Sequence, residues 1–107
     1  MKYGLKEQTI FMINEVFAKY PQINNVVLYG SRAKGNFRPN SDIDLVLKGE
    51  NLDLKTLFKI ETDLDDLLLP YKMDVSVFDK IENQDLIEHI NRVGIEFYEN
   101  SVESNKI

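Results

Sequence analysis

The chain has no cysteine, so it forms no disulfide and offers no thiolate to a metal. That absence fits a reducing compartment. One histidine occurs, His89, and no second imidazole exists to complete a metal set. It lies beside the apolar stripe of a helix and reads as a surface residue. No apolar stretch approaches the ~20 residues of a membrane span. The opening residues, Met1-Lys2-Tyr3-Gly4-Leu5-Lys6-Glu7, lack the apolar run of a signal peptide. The expectation is a cytoplasmic protein with no membrane partner. Positive charge is also short. The formal net charge is -5, which argues against direct nucleic-acid binding, because that relies on lysine and arginine neutralising phosphates.

What is present is ordinary globular material, without internal repeats or low-complexity segments. With 107 residues, 43% hydrophobic and 29% charged, residues 1–107 are expected to form one domain around one core. The polar residues 100–107 read as a flexible tail. Ile10, Ile13, Phe17 and Tyr20 follow helical spacing over residues 5–19, ahead of Pro21. Val26-Val27-Leu28-Tyr29 is a short β-rich run stopped by Gly30. Residues 35–41, with Gly35, Asn36, Pro39 and Asn40, read as a loop. Alternation predicts strands over 42–47 and 73–78, and helical stripes cover 53–68 and 84–93, the last stopped by Gly94. The acidic block Glu61 to Asp66 reads as a solvated helix face. This order implies an α/β (α+β) protein: a small mixed β-sheet with helices packed mainly on one face.

The chemistry concentrates between Gly30 and Leu45. Strand residues two apart share a face, so Asp42 and Asp44 point away from Ile43, Leu45 and Leu47. In the third strand Asp74 and Ser76 oppose Met73, Val75 and Val77. If the two strands are neighbours with their aliphatic faces buried, all three aspartates emerge on one side. Carboxylates this close repel unless a cation lies between them, and hard oxygen ligands select magnesium or manganese. Ahead of them, Gly30 ends a strand and Ser31-Arg32-Ala33-Lys34 can start a helix, whose first N–H groups bind anions. This is no Walker loop, because Asn36-Phe37 stands where lysine and serine or threonine are required. Arg32, Lys34 and Arg38 suit a triphosphate, and Lys34 and Arg38 serve equally as ordinary solvated charges. Tyr29, Tyr71 and Tyr98 read as core or interface.

Gly30-Ser31-Arg32-Ala33-Lys34-Gly35, then Ser41-Asp42-Ile43-Asp44-Leu45, then Lys72-Met73-Asp74-Val75 resemble the minimal nucleotidyltransferases of the DNA polymerase β superfamily. The resemblance extends over nearly the whole chain and implies the polymerase β-like fold. It also implies magnesium-dependent transfer of AMP from ATP, with Gly30 and Ser31 at the β- and γ-phosphates. Arg32, Lys34, Arg38 and Ser41 are further candidates around the nucleotide. Asp42 and Asp44 would ligate two magnesium ions, or manganese, and Asp74 would complete the catalytic set at the metal facing the acceptor. Larger relatives carry an extra acceptor-binding helical domain, for which 107 residues are expected to leave no room. Minimal members resemble antitoxins whose partner is a helical HEPN-domain ribonuclease, silenced by AMP on a tyrosine. The alternatives are steric inhibition by a vestigial nucleotide site, or an aminoglycoside-type small-molecule nucleotidyltransferase.

Overall fold

A computed structural model describes residues 1–100. The elements run α1 (Glu7–Phe17), β1 (Ile23–Tyr29), α2 (Ser31–Lys34), β2 (Ile43–Gly49), α3 (Leu54–Asp65), β3 (Met73–Val77), a 3-10 turn (Phe78–Lys80), α4 (Gln84–Val93) and β4 (Ile95–Glu99). One four-stranded sheet has the order β3-β2-β1-β4. β1 is antiparallel to β2 and to β4, while β2 and β3 run parallel. A parallel neighbour cannot follow a tight hairpin, and α3 carries the chain across.

Period-two alternation gives the sheet two different faces. On one, Val26 and Leu28 of β1, Ile43, Leu45 and Leu47 of β2, and Val75 and Val77 of β3 bury against Ile13, Val16 and Phe17 of α1 and Ile60 and Leu64 of α3. Each such side chain contributes about 1.5–3 kcal/mol by leaving water. On the other face a smaller cluster joins Val27, Tyr29 and Val46 to Ile90 of α4. Two of the long helices therefore share one face, and α4 covers part of the opposite one. Local signals fix the helix starts. Asp53 accepts a hydrogen bond from the Thr56 N–H at 2.8 Å ahead of α3, and Asn83 accepts from Asp85 and Leu86 ahead of α4.

β4 is a strand beyond those expected from the alternation at 42–47 and 73–78. Its five residues alternate after Gly94, which reads as a helix stop, and ahead of the expected tail at 100–107. Gly94 has φ -61, so its value is space and not a left-handed turn. A β-carbon there would collide with the Ile90 carbonyl and come within 2.6 Å of Val27 Cγ1. Of the expected tail, residues 101–107 lie outside the described residues. Asn100 is tied down, its N–H donating to the Asn24 carbonyl at 2.9 Å and its side-chain amide to that of Ile23 at 3.3 Å.

Candidate active site

The register of the sheet places the site. Tyr29 of β1 pairs with Asp44 of β2, and Asp44 pairs with Asp74 of β3. Directly opposed residues share a face, so a phenol and two carboxylates form a row across three strands, on the α4 side. Asp42 lies just before β2 and is exposed, Asp44 is half-buried, and Asp74 is exposed. Burial pushes the Asp44 carboxyl above its ordinary range. The Asp74 charge and then the Asp42 charge add to that push, and His89 opposes it. Burial also raises the Tyr29 hydroxyl, helped by Asp74 and Asp44 and opposed by a hydrogen bond with Ser76. The structure thus brings the three expected aspartates into mutual reach around Asp44.

These acids want a cation. Among the described residues the ion pair is Arg92 with Glu88, at 3.7 Å on α4, so none of the three aspartates has a basic partner. Nor, among the described residues, do three acid or imidazole side chains close into a ready metal cage. The acids are arrayed along strands instead. That arrangement fits magnesium, which is held by one or two carboxylates plus substrate phosphates and not by an all-protein shell. Oxygen-only donors agree with the same ion or with manganese.

Gly30 is built against this row. Its backbone has φ 76 and ψ -156, a conformation open to glycine, and a β-carbon would collide with Asp44 Oδ2. Ser31 opens α2, a single turn that ends at Gly35 in the left-handed region with φ 88. The turn expected to hold phosphate and the strand expected to hold metal are therefore in contact.

Arg32, expected at the phosphates, faces the other way. It is 1% exposed. Nη1 donates to the Tyr3 carbonyl at 2.8 Å, Nη2 to Pro39 at 3.2 Å and to Ser41 at 2.9 Å, and Nε to Ser41 at 3.2 Å. The rings of Phe37 and Tyr71 lie 5.3 and 5.0 Å from its guanidinium carbon. All three of its nitrogens donate and two rings lie against it, so it clamps the loop that delivers Asp42. Ser41 belongs to the same loop, its hydroxyl oxygen accepting the Arg38 N–H at 2.8 Å. Lys34 and Arg38 remain exposed cations beside the turn.

His89 is not the surface residue that its place beside the stripe predicts. It is half-buried on α4, its Nε2 accepts the Gly30 N–H at 3.2 Å, and its ring meets Tyr29 edge-on at 6.1 Å. The signal was available. Leu86, His89 and Val93 follow the three-and-four spacing of the apolar stripe, which puts His89 on the buried face. An apolar hollow of about 640 Å³ among Tyr20, Leu54 and Phe58 lies on α3 and touches none of the three acids.

Comparison with known proteins agrees with this geometry. Residues 12–103 match the family described as polymerase beta, nucleotidyltransferase. No protein of curated function matches the chain. A toxin–antitoxin structure with AMP-PNP is similar at TM-score 0.68 and 20% identity, covering 92% of this chain and 77% of that one. The structure of a tri-AMPylated HEPN toxin from Shewanella oneidensis with its MNT antitoxin gives TM-score 0.66 and 15% identity, covering 94% and 77%. A protein described as a nucleotidyltransferase from Sulfolobus solfataricus gives 0.54 and 19%, covering 94% and 91%. At these identities the structural likeness speaks for the fold.

Proposed function

The chain belongs to the polymerase beta nucleotidyltransferase family, and from that membership we propose that it transfers AMP from ATP to a hydroxyl of a HEPN-type partner, as the antitoxin of a pair. The observation that carries the reading is the row of Asp44 and Asp74 across adjoining strands, with Gly30 pressed against Asp44. In this reading Asp42, Asp44 and Asp74 would hold two magnesium ions. Bound ions would neutralise the triphosphate and lower the barrier to deprotonating the acceptor. Gly30 and the Ser31 hydroxyl seat the phosphates, and the exposed Lys34 and Arg38 add positive charge. The acceptor oxygen bonds to the α-phosphorus as the α–β anhydride bond breaks, and pyrophosphate leaves with the electron pair. The hydroxyl proton passes to Asp74, the exposed carboxylate on the edge strand. Positioning and charge neutralisation supply most of the rate.

The partner and acceptor rest on the relatives. One was solved as a toxin–antitoxin complex with an ATP analogue, another with an AMPylated HEPN toxin. A tyrosine is the acceptor we favour, in the cytoplasm. The test is the intact mass of a HEPN partner after incubation with the chain, ATP and magnesium. A gain in steps of one AMP is expected. An unmodified partner that nonetheless stays bound and inactive would favour steric inhibition, and AMP transfer to an aminoglycoside without any partner would favour small-molecule chemistry.

Gly30→Ala is expected to lower this transfer by about a hundredfold or more, because displacing a ligand carboxylate by about 1 Å misaligns the reacting groups. The forced positive φ adds about 1–3 kcal/mol of strain. Initial rates and urea midpoints of the variant check both; a rate within threefold of wild type would contradict the placement of Gly30 on Asp44.

A further inference from the structure

The mechanism above makes no use of His89, yet this side chain joins α4 to the turn on which the proposed phosphates would rest. Three contacts lock the helix on β1. At its C-terminal end Gly94 approaches so closely that a β-carbon would lie 2.6 Å from Val27 Cγ1. In its middle Ile90, 2% exposed, packs in the cluster with Val27, Tyr29 and Val46. Beside it, His89 accepts the Gly30 N–H at 3.2 Å and sets its ring edge-on to Tyr29 at 6.1 Å and 82°. The helix is thereby registered along β1, and the hydrogen bond of His89 falls on the backbone of the glycine whose added β-carbon would collide with Asp44 Oδ2.

We infer that His89 is a positioning residue, which fixes the Gly30–Ser31 turn from behind and so sets its affinity for a nucleoside triphosphate. The inference rests on the proposed nucleotide site. A hydrogen bond into Nε2 requires the lone pair there, so the ring proton of the neutral side chain sits on Nδ1. The bond also directs the Gly30 N–H toward α4, leaving anion contact to the donors that follow it. Without His89 the turn samples other orientations, because Gly30 lacks a β-carbon to restrict it. The apparent dissociation constant then rises in inverse proportion to the competent fraction that remains. Tyr29 holds the ring edge and prevents it from swinging out.

The test compares His89→Ala and His89→Gln by calorimetric titration with magnesium and a non-hydrolysable ATP analogue. Glutamine places an acceptor oxygen near the position of Nε2. Alanine is expected to weaken binding about fivefold, the scale of one lost hydrogen bond, and glutamine to restore it to within about twofold. A role confined to stability would shift the melting temperature of both variants and leave both affinities unchanged; that result would overturn the inference. Nitrogen-15 spectra of the wild-type imidazole give an arm independent of nucleotide. They should show protonated Nδ1 and unprotonated Nε2 at neutral pH, together with slowed exchange of the Gly30 amide in wild type and faster exchange in His89→Ala. An Nε2–H tautomer would overturn the inference even where the analogue binds. Failure of wild type to bind the analogue falls on the proposed function instead, and the tautomer and amide exchange still decide the role of His89.

Discussion

Asp44→Asn is expected to lower AMP transfer by roughly a thousandfold or more, the scale of losing a group that stabilises transition-state charge, while raising stability at neutral pH. Asp44 is the central member of the row, between Tyr29 and Asp74 and within the field of Asp42. Its carboxyl is pushed up by burial and by those two charges. The folded state thus binds this proton more tightly than the unfolded chain does. Ionising Asp44 therefore costs stability, with no cost below the ordinary value of 3.8 and the full cost once pH has risen through the raised folded value. Asparagine has the same shape and no charge. At pH 7 without magnesium, the variant should unfold at higher urea than wild type, and the gap should close as pH falls below about 4. Magnesium should also close it, by stabilising wild type alone. A variant that is less stable than wild type at pH 7 would show that Asp44 holds the fold and not an ion.

Arg32→Ala should have the largest effect on stability, a loss of about 3–5 kcal/mol. It leaves the carbonyls of Tyr3, Pro39 and Ser41 without their donor, at up to about 1–3 kcal/mol for a group left unpaired out of water, less for Pro39, which is exposed. It also removes the cation between Phe37 and Tyr71. Arg32→Lys should recover little, because an ammonium cannot present the planar fork that reaches three carbonyls at once. Urea denaturation of both variants checks the magnitude. If either variant kept wild-type stability and lost ATP-analogue affinity, Arg32 would belong at the phosphates after all.

Arg32 marks the limit of what the sequence made legible. Its position in a basic turn after Gly30 suggested phosphate, since arginine is mostly exposed. Nothing local announced that Tyr3 and Tyr71 would converge on it from distant parts of the chain and join Phe37 and Pro39 of the adjoining loop. The aspartates were different. Period-two alternation alone placed Asp44 and Asp74 on matching faces, and the parallel register then set them opposite each other. His89 follows the spacing of the apolar stripe on α4, whereas β4 is five residues long and its pattern is weak until β1 supplies the partner. The contact between Gly30 and Asp44 depends on a backbone angle that no spacing encodes.

The proposed reaction moves an NMP and not a phosphate. The direct measurement is incubation with magnesium, a HEPN partner and ATP radiolabelled in either the α- or the γ-phosphate. Label is expected on the partner from the α position alone, with one pyrophosphate released per AMP added and none from Asp44→Asn. Label arriving from the γ position, or α-label transferred undiminished by Asp44→Asn, would contradict it.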